Sequence, residues 1–169
     1  MLNSKEAENK INSYALLAIF RQTHDAILKV RQKELRSSDI TPEQMGALTA
    51  IKAIGPQATA AELSRWLFRN PDSMTILLRR LEKKGLIKKT PDAKRKNVIR
   101  LSLTKAGDTA YSKASNAKLA ISIFDSLTAR NKAQLWSILG KIRKRALDNL
   151  DMDEDNYCGF FDKFKGKHK

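Results

Sequence analysis

The sequence predicts a mainly α-helical chain with one small β-hairpin, in which long terminal helices flank a compact central region. Two observations lead to this fold class. Breakers are concentrated between Gly55 and Gly107, whereas long stretches on both sides place apolar residues at helical spacing. Inside the central region the pattern changes for two short segments to the β-like runs typical of paired strands.

Capping residues and breakers set the limits of each helix. Residues 6–36 contain neither Gly nor Pro, which predicts one long first helix. Thr41, Thr59, Asn70 and Thr128 are N-cap types that stand immediately before further helical segments. Pro42 stands at the first helical position after Thr41, and Gly85 is expected to end the helix that Asn70 begins. The predicted helices therefore cover residues 6–36, 42–54, 60–68, 71–84, 105–126 and 129–150.

The predicted strands run from Leu86 to Thr90 and from Val98 to Leu103, with a polar and basic tip between them. Two short helices followed by such a hairpin describe a winged helix-turn-helix. We expect four parts: an N-terminal dimerisation helix (1–36), a winged helix-turn-helix domain (37–104), C-terminal dimerisation helices (105–150) and a basic, aromatic tail (151–169).

Charge points to a polyanionic partner, either nucleic acid or an anionic membrane surface. The 169 residues include 33 Lys and Arg against 18 acidic residues, a formal net charge of +15. Residues 79–105 alone hold eleven basic and two acidic residues, and this segment spans the second helix of the pair and the hairpin. A basic run on this arrangement favours double-stranded DNA.

The helix after Asn70 is the expected reading helix. Leu63 and Leu67 of the preceding helix can pack against its apolar positions at 74, 77, 78 and 81, which leaves the other side outward. Outward polar and apolar groups can contact base edges, phosphates and a thymine methyl. The predicted DNA-binding residues are Ser73, Thr75, Ile76, Arg79 and Arg80 of this helix and Lys94, Arg95 and Lys96 of the hairpin tip.

These segments resemble the MarR family of bacterial transcription regulators. The resemblance rests on three motifs: Thr59-x-x-Glu62-Leu63-Ser64-x-x-Leu67, Pro71-x-Ser73-Met74-Thr75-x-Leu77-Leu78-x-Arg80-Leu81-Glu82-Lys83-Lys84-Gly85-Leu86-Ile87, and Leu103-Thr104-x-x-Gly107. It implies a homodimer with interleaved terminal helices and a wing that reaches the minor groove. The hairpin tip departs from the common family pattern D-x-R-D-x-R, since Arg95 and Asn97 replace an acid and an arginine. Arg95 is the favoured minor-groove residue because narrow grooves attract arginine.

The apolar stripes of the terminal helices predict the dimer contact, and a two-fold pair would present two reading helices about 34 Å apart. The predicted dimerisation residues are Ile11, Tyr14, Ile19, Leu135, Leu139 and Ile142. The resemblance also implies a small aromatic or phenolic ligand between the dimer and reading parts. Tyr14, Arg21 and His24 are the candidate pocket residues, although an ordinary polar position on a helix flank is the simpler explanation of His24.

Several other classes of function are disfavoured. No nucleophile–base pair, metal-ligand cluster or phosphate loop is recognisable, so we predict no enzyme, no metal and no cofactor. No segment reaches the roughly 18 apolar residues of a membrane span, and a cytoplasmic location follows. Cys158 lies beside Gly159 and Phe160 rather than activating cations, which disfavours a redox switch.

The sequence thus predicts a regulator, most simply a repressor, that binds a pseudo-palindromic operator as a homodimer. Two alternatives stay open: a winged-helix module that binds protein, and a sequence-blind chromosome-binding protein. The tail interleaves Tyr157, Phe160, Phe161 and Phe164 with lysines after an acidic start. It could fold back on the dimer core, contact DNA phosphates or touch a membrane, and the aromatics favour the first.

Overall fold

The computed structural model describes residues 12–116 and 118–152, and within them it shows helices and one two-stranded antiparallel sheet. Three short 3₁₀ turns lie at Arg36–Ser38, Gly55–Gln57 and Ile123–Ser126. The other elements, in chain order, are α1 (Ser13–Leu35), α2 (Pro42–Ile54), α3 (Ala60–Trp66), α4 (Pro71–Lys83), β1 (Ile87–Pro91), β2 (Ile99–Leu103), α5 (Lys105–Ser115), α6 (Leu119–Ser122) and α7 (Ala129–Asp148).

One core joins α2, α3, α4, the hairpin and the end of α1. The predicted packing between α3 and α4 is confirmed, since Leu63 and all four apolar positions of α4 are buried and Leu67 packs against them. Ile87 and Leu101 add the inner face of the hairpin, in which Ile87 pairs with Leu103 and Pro91 with Ile99. The fold is therefore the predicted mainly helical winged helix-turn-helix.

The predicted start of the first helix is wrong. Asn12 has extended backbone angles, and its side-chain oxygen accepts a hydrogen bond from the Tyr14 N–H at 2.9 Å. This is N-cap geometry, so α1 begins at Ser13 and the helix is not continuous over residues 6–36. Asn-Ser is a local capping signal that the run without Gly or Pro had concealed.

The prediction of one helix over residues 105–126 is also wrong, because α5 ends at Ser115. The nearly buried carboxylate of Glu34 accepts hydrogen bonds from the N–H groups of Leu119 at 2.5 Å and Ala120 at 3.4 Å. It thus satisfies the first free N–H groups of α6 and stabilises a second helix start. Glu34 lies 85 residues away in sequence, so no local pattern could indicate the break.

The terminal helices carry a large exposed apolar face. Tyr14 is 83% exposed, and α7 is exposed along most of its length. Soluble monomers rarely expose contiguous apolar patches of this extent. The exposed large apolar residues of these helices are Tyr14, Leu16, Leu17, Ile19, Phe20, Leu119, Ile121, Ile123, Phe124, Trp136, Ile138, Leu139, Ile142 and Leu150. None of the helices in the described part of the chain combines the length and apolar composition that a bilayer crossing needs.

Thr104 joins the end of α4 to the base of the hairpin. Its hydroxyl donates to the Gly85 carbonyl at 2.6 Å and accepts from the Gly107 N–H at 3.0 Å, which caps α5. Its backbone N–H donates to the Leu86 carbonyl at 3.0 Å. Gly85 has the left-handed φ of 67° that a C-terminal glycine supplies. The chain therefore leaves the reading helix and returns from the hairpin at one point.

We predict that Gly107→Ala destabilises the fold by about 1–3 kcal/mol, the usual cost of overpacking. An added Cβ would collide with the backbone carbonyl of Leu86, which cannot rotate away as a side chain could. Urea denaturation would measure the change. Gly46→Ala is the matched control, since its Cβ would meet Leu67 Cδ2 at an ordinary 3.6 Å, and it should be neutral or slightly stabilising. Equal stability of the Gly107→Ala and parent chains would contradict the close approach.

Candidate nucleic-acid interface

The reading helix α4 begins with a strong cap and presents a polar outer face. Asn70 Oδ1 accepts from the Ser73 N–H at 2.8 Å, and Pro71 occupies the first helical position. The apolar side of α4 is buried, as described above, so its opposite side is fixed toward solvent. A helix held in this way can enter a major groove, which admits one α-helix.

The structure places the predicted contact residues of α4 as the helical spacing requires. Thr75, Ile76, Arg79 and Arg80 are exposed, and Ile76 is a large apolar side chain left 48% exposed. Ser73 is only half-buried at the start of the helix. The Thr75 hydroxyl donates to the Pro71 carbonyl at 2.9 Å and keeps lone pairs for a further partner. These residues form one continuous outward surface.

Asp92 organises the tip of the hairpin, a role that the sequence did not reveal. Its Oδ1 accepts from the backbone N–H groups of Lys94 at 2.9 Å and Arg95 at 2.8 Å. The strands close around the tip because the Asp92 N–H donates to the Val98 carbonyl at 2.8 Å. The three candidate wing cations, Lys94, Arg95 and Lys96, therefore project from a defined turn and are all exposed.

Arg100 connects this turn to the rest of the domain. Its Nε donates to Asp92 Oδ2 at 2.5 Å, and its Nη1 donates to the Gln57 carbonyl at 3.0 Å. Beside it, the Leu101 N–H donates to the Ala58 carbonyl at 2.9 Å. The hairpin is thereby attached to the segment that precedes α3, so the wing and the helix pair share one frame.

The Arg100 hydrogen bond, followed by those from the Arg95 and Lys94 backbones, lowers the pKa of Asp92 to about 2. A carboxyl whose pKa is lowered by folding stabilises the fold at pH values above its ordinary pKa. That stabilisation is lost as the pH falls through about 2. The wing turn therefore keeps its ionised Asp92 throughout the physiological range.

The basic segment divides into paired and unpaired cations. Lys84 pairs with Asp39 at 3.1 Å, Lys89 with Glu82 at 2.7 Å, and Arg100 with Asp92. Within the described ranges, no carboxylate pairs with the cations of the outer α4 face and the wing tip: Arg79, Arg80, Lys94, Arg95 and Lys96. Lys83, Lys88 and Lys105 of the same segment also have no carboxylate partner among the described residues. Eight of the eleven cations are thus unpaired, and five of these are the α4 and wing-tip residues predicted to contact DNA.

A cavity of about 290 Å³ lies between the terminal helices and the reading domain. Its walls are mostly apolar, and Arg31 of α1 and Arg143 of α7 add two guanidinium groups, of which Arg143 Nη1 is buried. Arg31 also pairs with Glu34 at 2.5 Å. The remaining lining residues are Pro42, Met45, Gly46, Thr49, Ala50, Trp66, Leu67 and Phe68.

The predicted ligand residues do not line this cavity. Arg21 and His24 are exposed and both approach Asp25, at 3.5 and 3.3 Å, and Tyr14 is more exposed still. The cavity begins at Arg31, about two helical turns farther along α1, and the role of Tyr14, Arg21 and His24 in ligand binding stays a prediction. The cavity is lined by residues of four helices, so no local sequence pattern indicates it. Arg21 and His24 lie close together in sequence, which is why the sequence suggested them.

The predicted dimerisation residues lie mostly on the exposed apolar face. Tyr14, Ile19, Leu139 and Ile142 are exposed, and Leu135 is partly buried. Ile11 lies outside the described residues, as do Cys158 and the aromatic residues of the tail. Their assignment stays a prediction.

Comparison with known sequences finds similarity to helix-turn-helix transcription regulators. A profile of the MarR family matches residues 38–96. The HTH-type transcriptional repressor MdtR of Bacillus subtilis is 28% identical over 134 residues, which cover 78% of this chain and 83% of the relative. An uncharacterised HTH-type transcriptional regulator of Bacillus cereus is 29% identical over 142 residues, 82% of this chain and 93% of its own.

Comparison with solved structures gives the same fold. The organohalide-sensing transcriptional regulator RdhR, in its 2,4-dichlorophenol-bound form, superposes with a TM-score of 0.73 at 25% identity, covering 87% of this chain and 88% of its own. The S. aureus MepR–DNA complex gives a TM-score of 0.72 at 22% identity, with coverage of 80% and 99%. The second similarity supports the fold alone.

We predict that Asp92→Ala loosens the wing tip and that Asp92→Asn does so less. The amide oxygen of Asn can still accept the two backbone N–H bonds, whereas Ala removes these and the Arg100 pair together. Trypsin should therefore cleave after Lys94, Arg95 or Lys96 several-fold faster in Asp92→Ala than in the parent chain. The cleavage rate of Asp92→Asn should lie between the two. Asp72→Ala, an exposed acid of the same domain, is the control and should leave the cleavage rate unchanged. Identical rates in all four proteins would show that Asp92 does not hold the turn.

Proposed function

Because the chain belongs to the MarR family of winged helix-turn-helix regulators, we propose that it binds an operator in duplex DNA and controls transcription there. The observation that carries this proposal is the distribution of unpaired cations. Within residues 79–105, eight of the eleven cations have no carboxylate partner in the described part of the chain, and five of these lie on the outer face of α4 and on the wing tip. Lys84, Lys89 and Arg100 are paired within the fold.

The outer face of α4 would supply the sequence preference. Arg79 can donate two hydrogen bonds to the edge of a guanine, Ser73 and Thr75 can bond to bases or phosphates, and Ile76 can contact a thymine methyl. Arg80 would position the helix by binding a phosphate. We propose these roles from exposure and side-chain chemistry.

The wing would extend the contact into the adjacent minor groove. Arg95, between Lys94 and Lys96, is the proposed inserted residue, since the negative potential of a narrow minor groove attracts arginine. Its backbone N–H is held by Asp92, which is in turn held by Arg100. A backbone that is already ordered loses less conformational entropy when the wing binds DNA.

The functional unit would be a homodimer formed through the terminal helices. Their many exposed large apolar side chains are unusual for a monomer in water, and a second copy supplies a matching surface by two-fold symmetry. We propose that residues 1–36 and 105–150 form this contact and residues 37–104 the reading domain. A dimer places two copies of α4 on successive major grooves of a pseudo-palindrome.

Repression is the simplest mode of action, because a small dimer on an operator can block polymerase without a further domain. We also propose that the chain acts in the cytoplasm by binding rather than by catalysis. The protein-interaction alternative does not explain why the unpaired cations cluster on α4 and the wing. A sequence-blind binder would not need Ile76 exposed on the reading face.

The cavity beside Arg31 and Arg143 would hold a small aromatic ligand with an acidic group. Apolar walls suit an aromatic ring, and guanidinium groups suit a phenolate or carboxylate. RdhR was crystallised with 2,4-dichlorophenol bound, which makes this compound a suitable probe. Because the walls come from both the terminal helices and the reading domain, the ligand would influence their relative position.

We predict distinct effects of Arg79→Ala and Arg95→Ala on DNA binding. Arg79→Ala should cost about 1–3 kcal/mol on the preferred site and relax the sequence preference. Arg95→Ala should weaken binding to preferred and random duplexes alike and reduce the salt slope by about 1. Selection from a random duplex pool would give the site, and titrations at several salt concentrations would measure both effects.

Arg130→Ala on α7 is the matched control, since it removes one exposed positive charge outside the reading domain. It should leave both quantities unchanged. Binding that does not depend on salt, or a selected pool without two half-sites about one DNA turn apart, would contradict the proposed function.

We predict that 2,4-dichlorophenol binds in the cavity and that Arg143→Met lowers its affinity about tenfold or more. That is the expected loss of one hydrogen bond to a charged group. Isothermal titration calorimetry would measure it. His24→Ala tests the other location on α1 and should leave the affinity unchanged. Reduced affinity in His24→Ala but not in Arg143→Met would place the ligand at that location instead.

A further inference from the structure

An open groove runs between the outer side of α3 and the chain that follows α7. It adjoins the cavity at Arg31, with which it shares Phe68, and lies on the side of α3 away from the buried Leu63. Its floor is built mainly from small and apolar side chains. Those that matter here are Ala61, Ser64, Phe68, Thr75, Leu150 and Met152.

Two large apolar side chains of this groove are more than half exposed. Phe68 is 55% exposed and Leu150 is 62% exposed. Phe68 adopts a left-handed φ of 49°, which is uncommon for a bulky residue, and this conformation ends α3 two residues before the predicted limit. The backbone is fixed there because the Arg69 N–H donates to the Ser64 carbonyl at 3.0 Å.

The chain itself turns into this groove. After α7 ends at Asp148, the N–H groups of Leu150 and Met152 both donate to the Leu147 carbonyl, at 2.9 and 3.0 Å. Leu147 is fully buried, so this turn is fixed to the fold. Met152 thus lines the groove as the last described residue, and 17 residues follow it.

Charge and apolar content of the following segment match the groove. Arg65 and Arg69 lie in its wall, and the residues directly after Met152 are Asp153, Glu154 and Asp155. Arg65 already pairs with Glu62 at 2.8 Å but keeps further donors on its guanidinium group. Beyond the acidic residues come four aromatics, at positions 157, 160, 161 and 164.

We propose that residues 153–169 dock into this groove of the same chain. The acidic start of the segment pairs with Arg65 and Arg69, and its aromatic residues cover Phe68 and Leu150. Cys158 is six residues beyond Met152, which allows a reach of up to about 20 Å along the groove. The segment therefore needs no partner molecule to reach α3.

Docking has a consequence for DNA, which rests on the proposed function. The groove includes Thr75 and the start of α4, so the docked segment and a duplex compete for one side of the reading domain. The carboxylates of the segment would occupy cations that otherwise attract phosphate. The segment would then lower DNA affinity and act as an internal competitor.

The single cysteine of the chain provides a direct test of docking, independent of DNA. In Ser64→Cys the groove carries a second thiol, and a short bismaleimide should join it to Cys158 within one chain. Ser112→Cys on α5 is the matched control, exposed but outside the groove. Denaturing gels and peptide mass spectrometry would identify the product. Ala61→Cys serves as a second groove position if Ser64→Cys does not fold.

The expected result is a monomer-sized crosslink in the groove variants and little in Ser112→Cys. Equal crosslinking in both, none in either groove variant, or only dimer-sized products would overturn docking within one chain. Arg65→Glu with Arg69→Glu should reduce the crosslink, and replacement of the three acidic tail residues by Lys should restore it.

The competition is tested by removal of residues 153–169. The shortened chain should bind a random duplex several-fold more tightly than the full chain. Unchanged or weaker binding, with the crosslink present, would overturn the competition while docking stands. Absence of DNA binding in both chains would instead contradict the proposed function.

Discussion

The burial of one side of α4 is the constraint on which the rest of the structure depends. Met74, Leu77, Leu78 and Leu81 are all buried, at the spacing that a helix of 3.6 residues per turn brings to one side. Each such side chain contributes about 1.5–3 kcal/mol when it leaves water, so the four together approach the net stability of a small domain. Rotation of α4 by one position would expose them. The outward position of Thr75, Ile76 and Arg79 is therefore a consequence of the core.

The same constraint reaches the wing through backbone hydrogen bonds. α4 ends at Lys83, Gly85 turns the chain just after it, and Thr104 returns the second strand to that point. At the other end, Arg100 joins Asp92 to the Gln57 carbonyl. A two-stranded hairpin alone is marginally stable in water, and these connections supply what it lacks. The wing therefore moves with the reading helix rather than independently of it.

Most helix limits and the outward face of α4 could be predicted from the sequence, because the residues that determine them are close together in the chain. Caps at Thr41, Asn70 and Thr128, the glycine at position 85 and the apolar period of α4 each specify a feature within a few residues. Apart from the Asn12 cap and the Asp92 turn, which are local, the features that were missed depend on distant partners. Glu34 accepts a hydrogen bond from the first N–H group of α6, 85 residues away. Asp39 pairs with Lys84 across 45 residues. The sequence shows eleven cations in residues 79–105, but only the fold shows which of them are paired.

The cavity lies between the terminal helices and the reading domain. Arg31 belongs to α1 and Arg143 to α7, whereas Met45 and Leu67 belong to the reading domain. A ligand can shift an equilibrium between arrangements only by its difference in affinity for them. A site whose walls come from both parts meets this condition, because any relative movement changes its shape. A site on the exposed flank at His24 does not, since one helix carries all of its groups. The wall composition, rather than the chemistry of any one residue, is thus the stronger reason to place regulation at Arg31 and Arg143.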